Sequence, residues 1–560
     1  MDGAGYCRAA GTANKATGRR SCFILSSRVT PKAALQLILC ATLALHQGIG
    51  AAAMPSRSGA SPAYPGSPAY PGSPASANPS ASPAAGATSA TPAGGAPLNL
   101  AACRIEDPAR TRLVLARCGY LDVPENPANP RGRHIGLYVA RVAAINRRKQ
   151  SDPVFILAGG PGMAATSFYA SVAFAFERIH RDRDIVLVDQ RGTGRSNPLN
   201  CVLDDNDLLR SAESEIVARA QRCLSSLAAK SDVRFYTTSI AVRDLEQVRQ
   251  ALGYDQINLY GVSYGTRVAQ HYLRRFPAHA RTAILDGVVP PQLTLGPAIA
   301  INAEQALDRI LARCVREPEC HAQFGDPQTA YRTLRDSLGK RPAAVTLADP
   351  TSGQITKLEF TPFHLGTVLR LASYTPEQAA LLPLALHSAA ESGDFTSLAS
   401  QFLLVMRSYG EVVAYGMHNS VVCSEDAPFY DPAHIDRTEI AQTYLGTSQL
   451  DGLSHICGVW PRGAIDPDFH APLHADVPVL LLSGSDDPVT PPPDAELARK
   501  GLSHSQHIVL QGFGHGQLTA PCMDRVMADF VEHAQADVDA SCAHSDQPLP
   551  FFTSVGGPPP

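Results

Sequence analysis

The chain has 560 residues, 44% hydrophobic and 18% charged, enough apolar material for one large core with an appended subdomain. A mini-protein and a wholly disordered chain are excluded. Forty-eight Lys and Arg against 51 Asp and Glu leave a formal charge of −3, so no global basic field is available to hold a nucleic-acid backbone. Nucleic acid is not an expected partner.

The leader comes first in chain order. Residues 1–53 carry Arg8, Lys15, Arg19, Arg20, Arg28 and Lys32, then the apolar run Ala33 to Leu45, then Ala51-Ala52-Ala53 as a small-residue cleavage signal. This is the pattern of a secretory signal peptide. The apolar run is shorter than the roughly 20 residues needed to cross a bilayer, and no later segment reaches that length, so no permanent membrane span is expected. Residues 54–97 are dominated by Pro, Ser, Ala and Gly, with the hexad Ser61 to Gly66 repeated as Ser67 to Gly72. Such a tract buries no core and is expected to be a disordered linker. Residues 546–560 are expected to form a disordered tail.

Of 13 cysteines, Cys7, Cys22 and Cys40 lie in the leader, which leaves ten in the remaining chain. Their order suggests neighbours as partners: Cys103 with Cys118, Cys201 with Cys223, Cys314 with Cys320, Cys423 with Cys457, and Cys522 with Cys542. No C-x-x-C pair or His/Cys cluster has zinc spacing, so disulfides in an oxidising compartment are favoured over a metal site. The expected location is periplasmic or extracellular.

From residue 98 the pattern changes to short β-branched runs alternating with helical stretches, the mark of an α/β fold with a mostly parallel sheet flanked by helices. Val154 to Leu157 ends in Gly159-Gly160-Pro161-Gly162, and Ile185 to Val188 ends in Asp189-Gln190-Arg191-Gly192. Ile257 to Tyr260 ends in Gly261-Val262-Ser263-Tyr264-Gly265, and Ile284-Leu285 ends in Asp286-Gly287. Val477 to Leu482 runs into Gly484-Ser485-Asp486-Asp487, and Ile508 to Leu510 into Gly512-Phe513-Gly514-His515. In open α/β sheets function gathers at such carboxyl ends. Between these halves the strand signals fade: Ala303, Leu307, Ile310, Leu311 and Cys314 share one helical face, and Leu381 to Ala390 is a second apolar helical stretch. The expected organisation is a first core part over 98–290, an inserted helical cap over 291–429, and a second core part over 430–545.

Gly261-Val262-Ser263-Tyr264-Gly265 follows a strand and precedes a helical stretch, the context of a nucleophile elbow. A serine hydroxyl needs a base, and the base needs a carboxylate to hold its tautomer. His515, in a glycine-flanked turn after the last strand, is the expected base. His271 and His279 sit in helical or polar segments, and His504 and His507 lie at the wrong end of that strand. Asp487 is the expected acid, because Pro488 biases it toward an extended conformation at a strand end. Asp486 then reads as a solvated turn carboxylate, and Asp286, the main rival, as a turn residue paired with a backbone amide. Amide donors for an oxyanion are expected from Tyr264, the residue after the serine, and from Gly160, since Pro161 has no N–H. No Lys-Ser/Thr follows the glycine-rich turn, so it does not read as a phosphate loop. The chemistry calls for no metal and no organic cofactor.

Together these motifs, with Asp189 to Ser196, Cys423-Ser424-Glu425-Asp426, Asp487-Pro488-Val489-Thr490-Pro491 and Gly514-His515-Gly516, resemble secreted peptidases of the α/β-hydrolase fold related to proline iminopeptidase, especially the tripeptidyl aminopeptidase branch. Ala158 stands where many proline iminopeptidases carry a histidine, which tilts the resemblance toward the tripeptidyl branch. The resemblance implies a serine exopeptidase that removes short N-terminal units from peptides through an acyl-enzyme. It also implies that Glu425 and Asp426 bind the substrate's free ammonium, and that Arg191 and Arg195 pair locally with carboxylates. An esterase or lactonase with the same triad, and a noncatalytic binding protein on the same scaffold, are the alternatives. A peptide is the expected partner, and a monomer is favoured.

Overall fold

The computed structural model describes residues 98–201, 213–543 and 547–558; the expected signal peptide and linker lie outside them. The chain divides into two units, Met1–Ala87 and Thr88–Pro560, and all described residues belong to the second.

A nine-stranded sheet is built from β1 (Ala101–Glu106), β2 (Leu113–Pro124), β3 (His134–Val142), β4 (Val154–Leu157), β5 (Ile185–Val188), β6 (Ile257–Val262), β7 (Ala280–Asp286), β10 (Val479–Gly484) and β11 (Ser505–Leu510). Its spatial order is β1-β2-β3-β5-β4-β6-β7-β10-β11. The first three strands join antiparallel, and everything from β5 to β11 runs parallel. The parallel strands are continuous apolar runs because helices cover both faces. In β4, Phe155 and Leu157 enter the core on one face while Val154 and Ile156 enter the core on the other. Each such burial stabilises by about 1.5–3 kcal/mol.

The insertion between β7 and β10 carries its own core, including Leu307, Leu311, Phe360, Leu369 and Phe402. The predicted face of Ala303, Leu307, Ile310, Leu311 and Cys314 lies buried along the helix Ile299–Arg316. Three features differ from the sequence expectation. Helices continue through Ser448–Val459, and the sheet resumes only at β10, so the second core part does not begin at 430. The insertion also contains an antiparallel pair, β8 (Ala343–Ala348) with β9 (Ile355–Phe360), whose alternating burial is the period-two pattern of a half-covered strand. Finally, the described part of the tail is packed: Phe551 is 1% exposed in the insertion's core, beneath the Arg313 guanidinium at 3.9 Å, and the Phe552 N–H donates to the Ala380 carbonyl at 3.0 Å. One aromatic ring buries enough area to anchor a proline-rich segment.

All five neighbouring cysteine pairs are joined as disulfides. Cys103–Cys118 ties β1 to β2 at the sheet edge, and Cys423–Cys457 ties two helices of the insertion together. Among the described residues no helix is long and apolar enough to cross a membrane.

Candidate active site

β6 ends at Val262, and the chain turns at once into the helix Tyr264–Arg275. Ser263 occupies the turn with φ 55° and ψ −124°, a conformation that costs a non-glycine residue about 1–3 kcal/mol. The turn is held on both sides: the Ser263 N–H donates to the Asp286 carbonyl at 2.8 Å, and the Ser263 carbonyl accepts the Thr266 N–H at 2.9 Å and its hydroxyl at 2.6 Å. The pentad's outer glycines are required by close approach. A Cβ on Gly265 would lie 2.2 Å from the Leu157 carbonyl oxygen, and one on Gly261 would lie 2.4 Å from the Gly265 oxygen.

The turns after β10 and β11 bring Asp487 and His515 together, with Nδ1 of His515 2.8 Å from Oδ2 of Asp487. Asp487 is fully buried, and its other contacts are all donors: the Val489 and Thr490 amides reach Oδ1 at 2.8 and 2.9 Å, and the Thr490 hydroxyl reaches Oδ2 at 2.8 Å. Burial alone would raise its pKa, but the His515 charge and these hydrogen bonds outweigh it and hold the carboxyl below its ordinary range. An ionised carboxylate can only accept, so Nδ1–H of His515 points to Asp487 and Nε2 is left as the basic nitrogen. Burial depresses the His515 pKa, yet the Asp487 charge and hydrogen bond, helped by Asp286, reverse the sign and leave it raised.

The other acids take different places. Asp286 accepts the Tyr260 hydroxyl at 2.8 Å and the amides of Gln517 and Leu518 at 2.7 to 3.1 Å, and so pins the loop just after His515. Burial pushes its carboxyl up to about 6 against those hydrogen bonds. Asp486 is not a solvated turn residue: it is 6% exposed, accepts the Ser485 hydroxyl, and lies 3.4 Å from Arg309 on the insertion's first helix. A carboxylate at a strand end faces the insertion that covers it, so a partner arrived from there.

Glu425 and Asp426, the expected ammonium-binding acids, lie away from the cavity surface. Both are fully buried, and neither lines the cavity that holds Ser263. The Thr238 N–H and hydroxyl donate to the two oxygens of Glu425 at 2.6 and 2.8 Å, and Thr238 in turn meets the Tyr264 hydroxyl at 2.6 Å. Burial pushes the Glu425 carboxyl up to about 8, with the Arg267 charge opposing. Asp426 accepts Nη1 of the buried Arg267 at 2.9 Å and the Leu295 amide at 2.7 Å. Asp426 thus pairs with the elbow helix through Arg267, and Glu425 meets it through Thr238 and Tyr264, so both buried acids have hydrogen-bond partners. Arg191 forks onto Asp244 at 2.6 and 2.8 Å. Arg195 instead meets the Tyr138 hydroxyl at 3.0 Å, while its backbone amide, not its guanidinium, reaches Asp189.

Between sheet and insertion lies a cavity of about 1250 Å³ whose lining includes Gly159, Gly160, Ser263, Arg370, Tyr374 and His515. The Gly159-Gly160 turn is close to the serine: a Cβ on Gly159 would stand 3.1 Å from Ser263 Cβ. Tyr264 is the first residue of its helix, so its N–H has no intrahelical carbonyl to bond. Two lining residues carry no sequence signal. His418 places Nδ1 3.3 Å from the Pro161 carbonyl, and burial lowers its pKa. Tyr374 accepts the His515 backbone N–H on its carbonyl at 2.8 Å and packs its ring 5.0 Å from the imidazole. Among the described residues no cluster of three His, Cys, Asp or Glu could hold a metal ion.

This arrangement defines a serine hydrolase on an α/β sheet, and the comparisons agree. A family model described as the alpha/beta hydrolase fold matches residues 152–321, and one described as TAP-like protein matches residues 442–542. The chain is 27% identical over 442 residues to serine protease Hip1 of Mycobacterium tuberculosis, covering 71% of this chain and 81% of that protein. It is 30% identical over 421 residues to carboxylesterase B of the same species, covering 70% and 79%. It is also 34% identical over 192 residues to the tripeptidyl aminopeptidase of Streptomyces lividans, covering 31% and 36%. The chain belongs to the alpha/beta-hydrolase family, with a TAP-like carboxyl-terminal part.

Proposed function

We propose that the protein is an exported serine peptidase that releases short N-terminal units from peptides through an acyl-enzyme on Ser263. The observation that carries this reading is that an elbow serine and the imidazole of an Asp487–His515 pair line one cavity. His515 Nε2 takes the Ser263 proton as Oγ attacks the scissile carbonyl, while Asp487 stabilises the imidazolium. The amides of Gly160 and Tyr264 hold the developing oxyanion, and the positive end of the helix Tyr264–Arg275 adds to their field. The leaving amine departs with the proton from His515, and water, activated by the same imidazole, releases the acyl group. The cavity exceeds the ~300–1,000 Å³ common for drug-sized ligands, which favours an oligopeptide over a small ester. Residues of the insertion, Arg370, Tyr374 and Tyr409 among them, line that cavity, the placement by which a cap selects substrate. The five disulfides support export.

One observation favours a second reading, an esterase: with Glu425 and Asp426 buried beneath the elbow, the only carboxylate among the described cavity residues is Asp336, which lies 3.3 Å from Arg335. Digestion of a peptide library, read by mass spectrometry beside Ser263→Ala, decides between them. Short N-terminal units that appear only with the wild type are the expected result. Hydrolysis of nitrophenyl esters with every peptide left intact would establish the esterase.

A further inference from the structure

The cavity contains a cationic corner that the acyl-transfer chemistry does not use. Arg370, on the helix Pro362–Ala372, points two of its nitrogens at neutral acceptors: Nη1 lies 3.3 Å from the Gln449 Oε1 and Nη2 lies 3.3 Å from the Tyr374 hydroxyl. Its Nε is buried without a partner. No carboxylate among the described residues comes within ion-pairing distance, whereas the core's buried guanidinium groups, Arg191 and Arg267, each grip one at 2.6 to 2.9 Å. Beside Arg370 stands Tyr444, 6% exposed, lining the same cavity, its hydroxyl also without a partner.

A planar guanidinium with an unused N–H and a neighbouring unused hydroxyl are donors that lack an acceptor, and a carboxylate is the group that supplies two. We propose that Arg370 and Tyr444 form a subsite that binds a carboxylate of the substrate, so that the enzyme prefers substrates bearing a free acid over the same substrates as amides. The reach is right. Tyr374 touches the guanidinium with its hydroxyl and the catalytic imidazole with its ring, so the subsite lies on the order of three extended residues from the scissile bond. The carboxylate has two possible sources, the C-terminus of a short peptide or a Glu or Asp side chain within it.

The proposal rests on the reading of Ser263 as nucleophile, and the test separates the two. Isothermal titration of Ser263→Ala with N-acetyl-Ala-Ala acid, N-acetyl-Ala-Ala amide and N-acetyl-Glu-Ala amide measures binding without turnover. The expected result is at least about tenfold tighter binding of one or both acids than of the neutral amide. That preference disappears in Ser263→Ala/Arg370→Gln, is reduced in Ser263→Ala/Tyr444→Phe, and is partly kept in Ser263→Ala/Arg370→Lys, with circular dichroism confirming that each variant folds. Which acid binds identifies the source. Equal affinity for all three ligands, no binding of any at millimolar concentration, or a preference that survives Arg370→Gln overturns the subsite. Fluorophosphonate labelling of Ser263 in otherwise wild-type protein reports the nucleophile separately: a labelled serine with no acid preference removes only the subsite, and an unlabelled serine removes the hydrolase reading itself.

Discussion

Thr490 donates its hydroxyl to Oδ2 of Asp487 at 2.8 Å, the same oxygen that stands 2.8 Å from Nδ1 of His515. Thr490 Oγ1 itself is 3.1 Å from that nitrogen, so the three side chains form one closed contact. A hydrogen bond to a charged group contributes about 1.5–3 kcal/mol, and its loss frees the carboxylate to rotate away from the imidazole. Thr490→Val is therefore expected to lower kcat on the order of tenfold or more with KM little changed, while Thr490→Ser restores most of the rate. Steady-state kinetics on one peptide substrate checks this; equal rates for all three proteins would show that the hydroxyl is idle.

The acid limb of the activity profile follows from the surroundings of His515. Burial lowers its pKa, Asp487 and Asp286 raise it and prevail, and Arg370 opposes them. Only the neutral imidazole accepts the serine proton, so activity falls as pH drops through the His515 pKa, and the midpoint is expected above the ordinary 6.5. Removing the Arg370 charge removes a repulsion on the imidazolium, so Arg370→Gln moves the midpoint further toward high pH. Profiles of kcat/KM for both proteins read the two shifts; a midpoint below 6.5 in the wild type contradicts the assignment of the base.

Asp426 is expected to matter for folding and not for the substrate's amine. Asp426→Asn leaves the buried Arg267 guanidinium without its counter-charge, a change that costs about 3–5 kcal/mol. Urea unfolding should show that loss, and the ratio of KM for free-amine and N-acetylated peptides should stay as in the wild type. Unchanged stability with a collapsed ratio would instead place the carboxylate at the ammonium.

These cases show what the sequence could and could not carry. The elbow, Asp487 and His515 were legible because each sits in a short run of glycines, prolines and polar residues directly after an apolar strand, so that local chain geometry and chemistry point the same way. The burial of Glu425 and Asp426 was not legible, because a pair of adjacent acids looks the same whether it faces a cavity or a buried arginine. Their partners Thr238 and Arg267 are more than 150 positions away. Asp486 and Arg309 repeat the lesson across the boundary between sheet and insertion. The β8–β9 pair did carry its alternation in Ala343 to Ala348 and Ile355 to Phe360, but a period-two pattern only six residues long is easily lost among long helices. Arg370, Tyr374 and Tyr444 carry no motif at all, since their meeting depends on how the insertion's helices pack.

The central claim is that Ser263 is a nucleophile driven by His515. The direct test is covalent: react the protein with a fluorophosphonate, digest it, and locate the adduct by mass spectrometry in the wild type, Ser263→Ala and His515→Ala. A single adduct on Ser263, absent from Ser263→Ala and formed slower by orders of magnitude in His515→Ala, is the expected outcome. An adduct on another residue, or labelling at an unchanged rate without His515, would contradict the account.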